Sequence, residues 1–147
     1  MIFAFLAVAM IGSGQLNILL EKKFDIRKIF RAAIFLEVIL GLVFVIGELR
    51  FGFGLYPTIA ILFGILGCAG ITYPNAAAIA LRPFSKNVGS AAALLGFLQL
   101  GIGAACSAGV GLLEAKGSFP TAVVTFISAS FGLLVLKFSR SEPETVN

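Results

Sequence analysis

Tyr73-Pro-Asn-Ala-Ala-Ala-Ile-Ala-Leu-Arg-Pro-Phe-Ser-Lys-Asn-Val-Gly-Ser-Ala-Ala-Ala-Leu-Leu-Gly-Phe-Leu-Gln99 joins two long apolar runs. It sets a proline and an asparagine inside the first run, a glutamine inside the second, and a small basic loop between them. A water-soluble core has no use for two such runs in succession. The wider chain repeats the pattern: of 147 residues, 59% are apolar and 12% charged, none is His or Trp, and the mean hydropathy is +1.07. Five apolar runs can be drawn, at 2–20, 29–47, 55–81, 90–113 and 120–138, each close to the roughly 20 residues that cross a hydrocarbon core of about 30 Å as a helix. A soluble protein of this size would be left with too little polar surface to face water. The expected fold is an all-α membrane protein with five transmembrane helices in a single membrane domain over 1–140, followed by a disordered polar tail at 141–147.

A net charge of +4 would suggest nucleic acid as a partner of a soluble protein. Here the charges sort by loop, and the lipid bilayer is the partner they imply; no nucleic acid is expected. Lys22, Lys23, Arg27, Lys28 and Arg31 fall in the link between the first two runs and the start of the second, Arg82 and Lys86 between the third and fourth, and Lys137 and Arg140 at the end of the last and just after it. The other two connections hold only Arg50 and Lys116. The positive-inside rule puts the first group in the cytoplasm. The amino terminus then lies outside and the carboxyl terminus inside, as an odd number of crossings requires. Cys68 and Cys106 sit inside apolar runs, where thiols act mostly as small hydrophobes. No basic region precedes the first run and no small-residue cleavage site ends it, so a secretory signal peptide is not expected.

Polar residues inside the runs are the candidate functional groups. Ser13, Gln15 and Asn17, with Gly12 and Gly14 beside them, fit either close helix packing with interhelical hydrogen bonds or the lining of a polar pathway. In the mixed-sign link 21–31, Asp25 is placed to cap the next helix, and Asp25 and Arg27 are open to a gating role or to meeting lipid headgroups. Glu37 falls about 12 Å into the second run at the helical rise, where a carboxylate needs a partner or a proton. It is either a proton-relay candidate or hydrogen-bonded to a neighbouring helix. Arg31, six positions away, is not on its face.

The third run places Ala60, Gly64, Gly67, Ile71, Pro74 and Ala78 on one nearly bare face, which should pack closely on another helix. Pro74 cannot donate to the carbonyl of Gly70, so a kink with a freed carbonyl is expected there, flanked by Tyr73 and Asn75. Such irregularity marks substrate sites in many transporters, and it also occurs in helices that bind nothing. In the fourth run, 13 of 24 residues are Gly, Ala or Ser. Ala92, Gly96, Gln99, Gly103 and Ser107 form a stripe expected to face protein or a cavity, leaving Gln99 open between helix packing and ligand contact. The charges Glu114 and Lys116 close this run at the outer interface. No His is present, the carboxylates are scattered, and neither a phosphate-binding loop nor metal-ligand spacing occurs. No nucleophile with a base and no paired aspartates are visible, so neither an enzyme, a cofactor nor a metal is expected.

The segments Gly70-Ile-Thr-Tyr-Pro-Asn-Ala-Ala-Ala-Ile-Ala-Leu81 and Pro83-Phe-Ser-Lys-Asn-Val-Gly-Ser-Ala-Ala-Ala-Leu-Leu-Gly-Phe-Leu-Gln-Leu-Gly-Ile-Gly103 resemble the tenth and eleventh helices of the Bcr/CflA drug-resistance branch of the major facilitator superfamily. The likeness is specific over about forty residues and looser elsewhere, where the first run with Asn17 is similar to the eighth helix. It implies a partial major facilitator fold, helices eight to twelve of twelve. It also implies proton-driven antiport of small amphipathic drug-like substrates across the bacterial inner membrane, with Tyr73, Asn75 and Gln99 near the substrate cavity and the run carrying Glu37 at the periphery. Alternating access needs two halves, so the resemblance implies a missing N-terminal half without which this chain should not transport. The reading from a different class is a small structural or regulatory membrane protein that associates through its small-residue faces.

Overall fold

The structure is a computed structural model that describes residues 2–84, 86–112 and 118–138. The tail at 141–147 and the pair Glu114 and Lys116 lie outside the described residues. Five helices follow one another: α1 (Ile2–Glu21), α2 (Ile26–Phe51), α3 (Leu55–Leu81), α4 (Val88–Leu112) and α5 (Phe119–Phe138). All five are long and apolar enough to cross a membrane. In hydrocarbon a backbone must satisfy its own hydrogen bonds, so a lipid-facing chain of this composition is held to helices.

Helix ends depart from the apolar runs where local chemistry, not hydropathy, sets them. α2 begins at Ile26, three residues before its apolar run, because Asp25 sits in extended conformation and its carboxylate accepts from the Arg27 amide at 2.7 Å. That side chain satisfies one of the open donors of the first turn. At the far end α2 continues to Phe51 and stops at Gly52, which has φ 55° and donates its amide to the Glu48 carbonyl at 3.2 Å. A left-handed residue closing a helix is the usual work of glycine. Phe53 then folds back over Gly47, whose missing side chain leaves room for the ring.

Three interfaces build the bundle. α3 packs on α1 and on α2, and α2 packs on α5. The last pair is antiparallel: as α2 runs from Ile34 through Gly41 to Glu48, its neighbours on α5 run from Gly132 through Phe126 to Ser118. A Cβ at Gly41 would lie 3.1 Å from the Cα of Phe126, and one at Gly132 would lie 3.3 Å from Ile34. Phe44, Ile65 and Ala122 meet in the middle, with Phe44 and Ala122 fully buried. Lipid tails are as apolar as these side chains, so the contact rests on close van der Waals fit. The end opposite the Lys22–Lys28 turn is tied by Ser118, whose hydroxyl donates to Glu48 Oε1 at 2.6 Å and lies 3.4 Å from the Thr58 hydroxyl.

α4 stands apart. It makes little contact with α3 or α5, and none of its described residues is buried. A cleft of roughly 360 Å³ opens between Ala80 and Leu81 at the end of α3 and Leu94 and Leu98 on α4.

The helix alternation brings Lys22, Lys23, Arg27, Lys28, Arg82, Lys86 and Lys137 to one end of the bundle and leaves Arg50 at the other. That basic end includes the joint of α2 and α3, where Arg27 and Arg82 line one shallow basin.

Candidate functional site

α1 and α3 run side by side in the same direction and in a steady register. Phe5 stacks on Phe63 with ring centroids 4.7 Å apart and planes 30° from parallel. Asn17 meets Asn75, and both pairs are separated by 58 residues in sequence. Between them the backbones approach closely at Gly70, where a Cβ would collide with the Met10 carbonyl and the Ser13 hydroxyl. Ser13 turns that hydroxyl back onto Met10 O at 3.0 Å. On α1, Phe5, Ser13 and Asn17 meet α3, and the buried Ala9 falls on the same every-fourth-residue line, so one ridge of the helix faces α3.

Pro74 lies within this interface, and α3 continues as one helix from Leu55 to Leu81 across it. Proline removes the donor that would have reached Gly70 O. That oxygen is directed to α1, 3.7 Å from where a Cβ of Gly14 would stand. Two side chains bond back onto the backbone on either side of the proline. Thr72 donates to Cys68 O at 3.1 Å or Ala69 O at 3.3 Å, and Asn75 Nδ2 donates to Ile71 O at 2.8 Å.

The polar centre is a three-residue chain. Asn75 Nδ2 also donates to Asn17 Oδ1 at 2.7 Å, and Asn17 Nδ2 donates to Glu21 Oε1 at 2.5 Å. Asn75 is 0% exposed and Asn17 2%. Each amide nitrogen carries two protons, and Asn75 spends both of its own on Asn17 and Ile71. Its Oδ1 is buried without a partner, an acceptor in a low-dielectric interior that a water or a ligand N–H or O–H would satisfy.

The three residues expected near a cavity are not gathered here. Asn75 faces α1, Tyr73 is 55% exposed on another side of α3, and Gln99 is half-buried on the outlying α4 with no side-chain hydrogen bond among the described residues. Glu37 is half-buried where α2 faces α3, within electrostatic reach of Cys68, and makes no hydrogen bond among the described residues. Asp25, Arg27, Arg82 and Lys86 are exposed at the basic end. Asp25 is the cap of α2, and Glu21, Asp25, Arg27 and Arg82 border a common basin there. Among the described residues no three His, Cys, Asp or Glu side chains lie together.

Sequence reasoning passed over the pairing of Asn17 with Asn75, and Glu21 entered only as one charge of a mixed loop. The every-fourth-residue ridge of α1 was the signal that joins Asn17 to Glu21. Nothing local could pair Asn17 with a residue on another helix.

No family model, no curated protein and no solved structure matches this chain.

Proposed function

We propose that this chain supplies the C-terminal helices of a proton-coupled exporter of small amphipathic drug-like molecules in the bacterial inner membrane. Its amino terminus lies outside, its carboxyl terminus in the cytoplasm, and it works only together with a further set of helices. The observation that carries this reading is α4. A membrane helix so rich in small residues is built for close packing, yet Gly96, Gly101, Gly103 and Gly109 have no non-neighbouring atom within 4 Å of where a side chain would begin. The resemblance of 70–103 to a drug-resistance branch supports the same conclusion, and so does the gathering of basic residues at one end.

In this reading α1 and α3 form a braced unit held by Asn17 and Asn75, and Tyr73 and Gln99 are the polar groups left to meet substrate. Glu37, a carboxyl within α2, is one candidate for carrying the proton, although the resemblance places its helix at the periphery. Rocking of one half against the other around a midplane site supplies transport. The test is dye efflux from cells lacking their own exporters. Expression of this chain alone should give none, and expression joined to the first seven helices of a drug exporter of the resembled branch should give efflux that a protonophore abolishes. Absence of efflux from a joined protein that reaches the membrane intact would count against the proposal.

The same bare stripe on α4 favours a second reading, in which two copies pack through it as a structural or regulatory membrane protein. Gly103→Cys distinguishes the two: efficient oxidative crosslinking between copies in the membrane favours self-association, and its absence favours a different partner.

A further inference from the structure

α1 and α2 hardly touch, because α3 packs on each of them separately. Above α3 this leaves a cleft of roughly 380 Å³ near the basic end. Leu20 and Phe24 form one wall, Ile29, Ala33 and Leu36 the other, and Ile71 of α3 the floor. The lining is almost wholly apolar, and Lys28, on the first turn of α2, borders it with its aliphatic stem. Leu36 is eight residues further along the same helix, hence about 12 Å deeper. The cleft therefore runs from an ammonium group at the helix end down to hydrocarbon depth.

Phospholipids have that same order of chemistry, a phosphate above an acyl chain. The surroundings favour a negative headgroup. Arg27 and Arg82 line the neighbouring basin, and Lys22 and Lys23 lie in the turn just before. Among the described residues Glu21 and Asp25 share a basin with Arg27 and Arg82, and Lys22, Lys23 and Lys28 leave this end net positive. Basic pockets between membrane helices are a recognised way to hold anionic headgroups.

We infer that one anionic phospholipid, from the leaflet at the basic end, seats in this cleft with an acyl chain between α1 and α2 and its phosphate at Lys28. The inference rests only on the chain spanning a membrane and stands apart from the transport proposal. A lipid held there fills the space between two helices that do not pack on each other, and so completes the α1–α3–α2 layer.

The test is native mass spectrometry of the full chain in detergent, counting bound dioleoylphosphatidylglycerol against dioleoylphosphatidylcholine. The expected result is one phosphatidylglycerol retained in preference. Lys28→Gln should lower that preference about fivefold, the size of one basic contact of about 1 kcal/mol. Ala32→Phe, at an exposed position lining the same cleft, should lower retention of both lipids with no change of charge. Lys86→Gln, at the same end but outside the cleft, should leave both unchanged. A loss with Lys86→Gln equal to that with Lys28→Gln would mean diffuse attraction and overturn the site. Full retention by Ala32→Phe, or an unchanged preference in Lys28→Gln, would overturn it as well. Lys28 and Ala32 are both exposed, so the variants should fold, and circular dichroism of each checks that they do.

Discussion

Asn75 Nδ2 donates to Asn17 Oδ1 across 2.7 Å, tying α3 to α1 where neither side chain has more than a trace of exposure. Around this bond, Glu21 accepts from the Asn17 amide, and Phe5 and Phe63 stack in the same register further along.

A double-mutant cycle with Asn17→Ala and Asn75→Ala should therefore return a favourable coupling of about 0.6 kcal/mol, and at most about 1.7, the range found for hydrogen bonds between membrane helices. Unfolding in mixed micelles measures it. Strict additivity of the two substitutions would show that the pair does not interact.

Two neighbouring glycines on α3 should behave differently. Gly70→Ala drives a methyl into the Met10 carbonyl, a backbone atom that cannot swing aside, and should destabilise by about 1–3 kcal/mol as other overpacked sites do. Gly67→Ala meets nothing within 4 Å and should be neutral or slightly stabilising, because alanine is the better helix former. The same micelle unfolding compares them, and equal effects would contradict the register of α1 on α3.

Across the other interface, Gly41→Leu should separate α2 from α5, since the Cα and backbone nitrogen of Phe126 occupy the space a side chain would enter. A short bifunctional thiol crosslinker should bridge Glu48→Cys and Ser118→Cys, placed where the native side chains meet at 2.6 Å, readily in the parent and poorly once Gly41→Leu is added. Crosslinking that is indifferent to Gly41→Leu would argue against this packing.

Reporter fusions after Lys86 and after Lys116 should fall on opposite sides of the membrane, because α4 lies between them. Finding both on one side would remove α4 as a crossing.

In a complete exporter, Gln99→Ala and Tyr73→Phe should change the spectrum of drug resistance while protein level stays constant, because neither side chain is buried in this structure. Asn75→Ala should lower the amount of folded protein, because it breaks the tie to α1. Resistance assays with immunoblotting separate the two effects, and an unchanged spectrum for Gln99→Ala and Tyr73→Phe would take both residues out of the site.

What could be read in the sequence were properties that a short window contains. Five spans follow from hydropathy because the bilayer acts on each stretch of about 20 residues independently. The early start of α2 was legible in part, since Asp25 was recognisable as a cap although the apolar run began only at residue 29. The small residues of α3 and α4 were legible as packing material, but their partners were not. The expected bare face of α3 does not act as one surface: Gly64 meets Leu40 of α2, Gly67 is open, and Gly70, outside that face, makes the close approach to α1.

The physical reason lies in the solvent. A helix in water shows which side is buried by a contrast of apolar and polar faces, whereas a helix in lipid is apolar all round and leaves its rotation unmarked. By itself the sequence determined that the chain forms five membrane-spanning helices, and it placed their basic residues in alternate loops. Only the tertiary structure decided that Asn17 would find Asn75, that α5 would close on α2, and that α4 would be left with its small-residue stripe uncovered. Those outcomes depend on steric fit between segments far apart in the chain, which local composition does not encode.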